Sequence, residues 1–115
     1  MVEDVAFSGR VFIPETIPAL EPGELYIDGM EMRKRAKGKG AFSGLGYGIW
    51  LFENQGIISK NLERYYFPLP GTLLIDLIGR YHIPCLLNLG RGWQISRFSL
   101  AGDWGLGMRF LRSPD

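Results

Sequence analysis

Glycine and proline interrupt this sequence so often that they constrain its fold more than any other feature. The chain has 16 glycines and seven prolines among 115 residues, but only five alanines. Glycine weakens helices because its backbone is so free, and proline breaks them because it lacks a backbone N–H group. Alanine, the best helix former, is scarce. The composition therefore favours short strands joined by turns, in a chain long enough for one domain over residues 1–115.

Alternation of apolar with polar or small residues marks the candidate strands. Between residues 45 and 52, for example, larger apolar side chains alternate with glycines at 46 and 48, a period typical of a strand. Candidate strands lie at residues 5–13, 24–32, 45–52, 73–78, 83–89, 93–100 and 106–111, and the one short-helix candidate lies at 59–66. The sequence thus predicts an all-β fold: a single small β-barrel or sandwich of six to seven mostly antiparallel strands, with at most one short helix.

A run of positive charge lies next to a run of glycine. The cations, which fall within seven residues, are Arg33, Lys34, Arg35, Lys37 and Lys39. Guanidinium groups pair with phosphate oxygens, and successive backbone N–H groups form anion-binding concavities. The pattern therefore predicts a basic, glycine-rich loop that binds an anion. The further candidate ligands are Ser43, Gly44 and Gly46, which would donate hydrogen bonds, and Tyr47 and Trp50, which would stack on a base.

The net charge of +1 conceals an uneven distribution. Residues 1–31 carry seven acids and one base, whereas residues 32–40 carry five bases and no acid. The acidic strands therefore offer the basic segment partners within the fold, and a solvated charged surface is the alternative interpretation to an anion site. Neither a P-loop nor a dinucleotide-binding motif is present, which argues against an ATPase or a Rossmann enzyme.

The sequence offers little for catalysis or for metal binding. Its one cysteine, Cys85, and one histidine, His82, exclude a cysteine-based zinc cluster and a histidine pair. Cys85 lies in an apolar run and is predicted to be buried, whereas Asp76, the one acid inside an apolar run, is expected to face solvent. We expect no enzyme activity, no cofactor and no metal.

The apolar segments are short. None approaches the roughly 20 residues that a membrane-spanning helix needs, and residues 1–20 lack the basic start and apolar centre of a signal peptide. The sequence therefore predicts a cytoplasmic protein with no membrane span.

Two short motifs resemble those of the PilZ domain, a small six-stranded β-barrel that binds the bacterial second messenger cyclic di-GMP. Residues 41–46, Ala-Phe-Ser-Gly-Leu-Gly, are similar to the family's Asp/Asn-x-Ser-x-x-Gly strand motif, and residues 105–111, Gly-Leu-Gly-Met-Arg-Phe-Leu, to the Gly-x-Arg-Phe strand that often closes its barrel. Ala41 stands where the family has Asp or Asn. The family's Arg-x-x-x-Arg arm has only the approximate counterparts Arg33-x-x-x-Lys37 and Arg35-x-x-x-Lys39. The resemblance implies a divergent, non-enzymatic regulatory or adaptor domain that binds a cyclic dinucleotide or another phosphate-bearing ligand, or a partner protein.

Two alternatives stay open. A protein–protein interaction domain with no nucleotide ligand would be favoured by an exposed apolar patch away from residues 33–48. An oligonucleotide-binding barrel would use Phe42, Tyr47 and Trp50 to stack bases. The isoelectric point of about 7.9 is low beside the values above about 9 that nucleic-acid-binding domains usually have, so nucleic acid is the less favoured partner.

Overall fold

The computed structural model describes residues 3–7, 9 and 15–112. In chain order, the elements within these residues are β1 (Glu15–Pro18), β2 (Tyr26–Asp28), α1 (Gly29–Gly38), α2 (Leu45–Glu53), β3 (Tyr66–Pro68), β4 (Leu74–Ile75), β5 (Tyr81–Asn88), β6 (Trp93–Ser99), β7 (Asp103–Gly105) and β8 (Arg109–Arg112). Short 3₁₀ helices lie at Gln55–Ile57 and Lys60–Leu62. The mostly-β prediction is confirmed, but the expectation of at most one short helix is wrong.

Strand β5 is the centre of the largest sheet. Strands β3 and β4 pair with one of its edges, one after the other, and β6 pairs with the opposite edge. Strands β1 and β8 form a two-stranded ribbon, and β2 and β7 form another. All these pairs are antiparallel, as predicted. The described strands do not close into a barrel, so the barrel form of the prediction is not found.

Strand β5 is buried on both faces, which explains its nearly continuous apolar sequence. Ile83 and Cys85 belong to one hydrophobic cluster, and Leu86 belongs to the other. The first cluster holds Ala19, Ile27, Met32, Ala36, Ala41, Leu73, Ile83, Cys85, Trp104, Met108 and Phe110. The second holds Tyr47, Leu51, Phe67, Leu69, Leu86, Trp93 and Leu111. The predicted burial of Cys85 is confirmed, and burial raises the pKa of its thiol.

The basic segment is helix α1 and not a loop. The carboxylate of Asp28 accepts a hydrogen bond of 2.8 Å from the backbone N–H of Glu31, which caps the helix start. Met32 and Ala36, four residues apart, are fully buried and give the helix a narrow apolar stripe. Arginine and lysine are themselves good helix formers. Beyond the helix, Gly40 adopts a φ of +69° and Ala41 N–H bonds to the Ala36 carbonyl, which is a Schellman ending.

The segment predicted as a strand over residues 45–52 is helix α2. Its larger side chains at Tyr47 and Leu51 are four residues apart and buried together, so the helical period wins over the apparent alternation. The glycines allow close packing: a Cβ on Gly48 would lie 2.3 Å from Leu69 Cδ1, and one on Gly46 would lie 2.5 Å from Phe7 Cβ. Tertiary contact at these bare positions outweighs the low helix propensity of glycine.

The other segments agree with the sequence to different degrees. Strands predicted at 83–89 and 93–100 are confirmed as β5 and β6. The strand at 73–78 shrinks to β4, the strand at 24–32 to β2, and the strand at 106–111 corresponds to β8. The predicted helix at 59–66 is wrong, since only one 3₁₀ turn forms before β3 begins at Tyr66. Most of the strand predicted at 5–13 lies outside the described residues.

Candidate functional site

Arg35 of the predicted anion site is fully engaged within the protein. Its Nη1 and Nη2 donate to the two carboxylate oxygens of Glu24 at 2.6 and 2.7 Å, and its Nε donates to Glu31 at 2.8 Å. Nη1 also contacts the Ala19 carbonyl at 3.3 Å. The hydrogen bond from Arg35 is the main reason that the pKa of Glu24 falls to about 2. A phosphate would have to displace two carboxylates to reach this guanidinium.

Arg33 is engaged in a similar way on another side of α1. Its Nε donates to the Pro70 carbonyl at 3.0 Å and its Nη1 lies 3.3 Å from the Glu3 carboxylate. The guanidinium carbon sits 5.3 Å from the centre of the Phe42 ring, where a cation is attracted to the aromatic face. Only 15% of the side chain is exposed, so Arg33 ties α1 to two other parts of the chain.

The three lysines of the predicted site do not converge. Lys34 is exposed, Lys37 Nζ lies 5.6 Å from the centre of the Phe42 ring, and Lys39 Nζ contacts the Pro18 carbonyl at 3.4 Å. Lys34 and Lys37 lie on α1 and Lys39 follows its last residue, while the two arginines of the helix are ion-paired with Glu3, Glu24 and Glu31. The internal neutralisation considered from the charge pattern is therefore present for both arginines.

Ser43, Gly44 and Gly46 lie at the start of α2, where helix N–H groups face outwards. The Leu45 N–H donates to the hydroxyl of Thr72 at 2.7 Å, and that hydroxyl donates in turn to the Asp4 carboxylate. A Cβ on Gly44 would lie 3.3 Å from the same carboxylate. The Ser43 carbonyl accepts a hydrogen bond from the Gly71 N–H. Asp4 thus supplies, from within the chain, a negative charge beside this helix N-terminus.

The two aromatic candidates, Tyr47 and Trp50, lie on α2. Tyr47 is buried, and burial raises the pKa of its phenol. The ring of Trp50 stacks on that of Tyr47, with centroids 6.1 Å apart and planes 14° apart. The structure therefore does not gather the ten predicted ligand-binding residues around one open surface, and their binding role stays a prediction.

Sequence reasoning missed a pair formed by Asp76 and His82. The hairpin between β4 and β5 brings His82 Nε2 within 3.0 Å of Asp76 Oδ2, while Asp76 Oδ1 accepts from the N–H groups of Ile78 and Arg80. The bond with His82, followed by that from Arg80, lowers the pKa of Asp76 to about 2. The two residues are six positions apart in the chain, so only the hairpin register reveals the pair. Asp76 is half-buried and does not simply face solvent.

Ser99 lies directly across from His82, but the three side chains do not form a catalytic relay. A relay needs the second imidazole nitrogen to bond to the serine hydroxyl. Here, His82 Nδ1 is buried and has no hydrogen-bond partner in the part of the chain that is described, and Ser99 Oγ accepts from the Ala101 N–H at 3.3 Å. The pair therefore closes the β4–β5 hairpin.

The same hairpin carries an exposed apolar surface. A groove of about 380 Å³ is lined by Met30, Arg80, Tyr81, Ser99, Leu100 and Ala101. Ile75 pairs with Tyr81 across the hairpin, and the turn between them exposes Leu77 completely and Ile78 by 70%. We call the apolar members of this set, Met30, Ile75, Leu77, Ile78, Tyr81 and Leu100, the hairpin surface. It lies outside residues 33–48.

Comparison with known proteins adds no assignment. No family model, curated protein or solved structure matches this chain. Neither α1 nor α2 is long and apolar enough to cross a membrane, and no other helix of that kind occurs in residues 3–7, 9 and 15–112. The same residues contain no group of three or more histidine, cysteine, aspartate or glutamate side chains placed to hold a metal ion.

Proposed function

We propose that this protein is a non-enzymatic interaction domain that docks a partner protein on the hairpin surface. The observation that carries the proposal is that the exposed apolar side chains of the hairpin surface line two grooves, which the pairing of Ile75 with Tyr81 connects. Met30 is 66% exposed and Tyr81 is 44% exposed. Single exposed apolar residues are common, but grouped ones often mark interaction sites.

The lining of the groove indicates the chemistry of the partner. Met30, Tyr81 and Leu100 offer an apolar bed, and methionine adapts to side chains of different shape. Arg80 lies at the same groove and makes no ion pair with another described residue. A partner segment with one apolar anchor and an adjacent carboxylate would fit this combination.

Binding of a cyclic dinucleotide or another phosphate-bearing ligand, which the PilZ resemblance implies, stays a prediction, as does the cytoplasmic location. The contacts of Arg33 and Arg35 with Glu3, Glu24 and Glu31 do not favour such a ligand, because each contact would have to be broken first. The interaction domain is therefore the proposal that the geometry supports better.

Selection from a library of random peptides against the intact chain tests the proposal. We expect the selected peptides to lose at least tenfold in affinity for Met30→Glu. Leu25→Glu is the matched control, because Leu25 is 67% exposed and does not line the groove. Glutamate at residue 30 lies in the first turn of α1, where a negative charge is tolerated. Peptides that bind both variants equally well, or no selectable peptide at all, would refute the proposal.

A further inference from the structure

Among the described residues, no strand pairs with the outer edge of β6 over its second half. In the β5–β6 ladder, the Leu100 N–H bonds to the Tyr81 carbonyl, and bonded positions alternate from there. Pro84, which has no N–H, pairs with Arg97 at a non-bonded position of the ladder, where neither residue donates a hydrogen bond to the other. The main-chain groups of Ile95, Arg97 and Ser99 therefore point away from β5. Within the described residues, the one backbone hydrogen bond to these groups is from the Gly102 N–H to the Ser99 carbonyl.

The first half of the same edge is already occupied by a side chain. The Gln55 amide donates to the Trp93 carbonyl at 3.0 Å and accepts from the Trp93 N–H at 2.8 Å. A neighbouring strand would make the same two bonds. Gln55 thus occupies the outward main-chain groups of Trp93. Because outward positions alternate along a strand, the same contact agrees with outward groups at Ile95, Arg97 and Ser99. Exposed edges without such closure are templates for strand addition.

Charge restricts which strand can be added. Arg97 is exposed at the middle of the open edge and has no ion-pair partner among the described side chains. Two copies of this chain paired antiparallel about residue 97 would place like charges opposite each other, which is unfavourable. Arg97 also lines a shallow groove with Asp76, Leu77 and Ile78, but Asp76 is already bonded to His82. An incoming strand with a carboxylate opposite Arg97 would avoid the repulsion.

We propose that an extended acidic segment of another protein adds as a strand to β6 along Ile95–Ser99. The edge leads at Ser99 directly into the groove lined by Leu100 and Ala101. A strand paired to β6 would deliver its end to the hairpin surface, so the inference rests on the proposed function and specifies how the partner is held. Main-chain bonds supply affinity in this mode, and the side chains opposite Arg97 and at the groove supply specificity.

A synthetic peptide of alternating valine and glutamate, as long as the open edge, is the probe. We expect it to bind the intact chain, to slow amide exchange at Ile95, Arg97 and Ser99, and to leave Trp93 unchanged. The matching valine–lysine peptide should bind at least tenfold more weakly. Failure of the valine–glutamate peptide to bind, or equal binding of the two peptides, would overturn the proposal.

Methylation of peptide nitrogens tests the main-chain bonds without altering the protein. Alternate N–H groups of a strand point to the same edge, so the peptide is methylated either at every valine or at every glutamate. We expect one form to lose binding and the other to keep it. Both forms binding, or both failing, would contradict pairing through one peptide edge.

A variant of the protein itself gives a further test. Arg97→Pro removes the outward N–H and the positive charge of residue 97, but it removes no hydrogen bond to β5. Ser96→Ala is the control, because the main chain of residue 96 faces β5 and not the open edge. We expect Arg97→Pro alone to lose binding of the valine–glutamate peptide. Equal loss or equal retention of binding in both variants would overturn the strand pairing.

The strand pairing and the docking function can fail separately. If library-selected peptides need Met30 but bind Arg97→Pro unchanged, the docking function stands and the strand pairing fails. If only the edge variant matters, the pairing stands and the hairpin surface fails. A concentration-dependent dimer abolished by Arg97→Pro would assign the edge to a second copy and also overturn the proposal.

Discussion

Arg35 and Glu24 form a two-pronged ion pair, with donor–acceptor distances of 2.6 and 2.7 Å, that connects α1 to the turn before β2. The geometry uses both ends of the guanidinium fork, which lysine cannot reproduce. Arg35, which the sequence predicts to bind a ligand, therefore connects two segments of the chain instead. Arg35 and Glu24 are eleven positions apart.

The Glu24 carboxylate should make stability depend on pH in the acid range. Its pKa is lowered from 4.5 to about 2, so its contribution is complete above the unfolded value and is lost as the pH falls through the folded value. We expect Glu24→Gln to have a lower Tm than the parent at pH 6, with the difference shrinking between pH 4.5 and pH 2. Glu21→Gln serves as the control because the Glu21 side chain is exposed. A difference that does not change with pH would contradict this role.

The Asp76–His82 pair should stabilise the hairpin in a similar pH window. Because the pKa of Asp76 falls to about 2, Asp76→Asn should lower Tm most at pH values above the ordinary range of an aspartate and least near pH 2. The protection factors for amide exchange at Ile78 and Arg80 in the parent protein should fall as the carboxylate is protonated, since both N–H groups bond to it. Unchanged protection factors down to pH 2 would show that the carboxylate does not hold the turn.

The glycines of α2 should tolerate no added methyl group where the chain packs closely. Gly48→Ala would place a Cβ 2.3 Å from Leu69, and we expect overpacking to cost about 1–3 kcal/mol in unfolding free energy. Gly38→Ala meets no atom within 4 Å and should be neutral or stabilising by up to about 1 kcal/mol. Chemical denaturation of both variants makes the comparison. Equal stability of the two would show that α2 does not pack as described.

The sequence predicts the strand-rich character and the two longest strands, because β5 carries an apolar run and β6 an extended pattern between turn residues. The turn at Glu21–Glu24 is also predictable from Pro22-Gly23, and Gly23 has a φ of +88°. Helix α2 is not predictable, because its glycines read as a strand face until Leu69 and Phe7 are known to fill the space. Helix α1 is hidden because its apolar stripe consists of Met32 and Ala36 among charges.

The candidate site illustrates the same limit. Charge spacing finds the cations at 33–39, but their partners at Glu3 and Glu24 come from the acidic N-terminal segment and are visible only after folding. The hairpin surface depends on the folded arrangement. Ile75 pairs with Tyr81 across the hairpin, and Met30 and Leu100, from distant parts of the chain, line the same groove. A linear pattern of exposed apolar residues carries no such information.

Truncation of two apolar side chains on paired strands should change the unfolding free energy by different amounts, because one side chain is buried and the other is exposed. Leu86 on β5 is 1% exposed, and Leu86→Ala should cost about 2–5 kcal/mol in unfolding free energy. Ile75 on β4 is 44% exposed, and Ile75→Ala should cost about 0.5 kcal/mol. Denaturant midpoints of the two variants provide the test. A large loss for Ile75→Ala would mean that the hairpin surface is part of the core and is not free to dock a partner.

The most direct test of the docking function is to map amide chemical shifts of the intact, isotope-labelled chain during two titrations, one with a library-selected peptide and one with cyclic di-GMP at moderate salt. The hairpin surface account predicts that the peptide shifts amides at residues 75–81 and 99–101, and that the nucleotide shifts none. Peptide-induced shifts away from these residues, or saturable nucleotide-induced shifts at residues 33–50 with an unchanged hairpin, would contradict it.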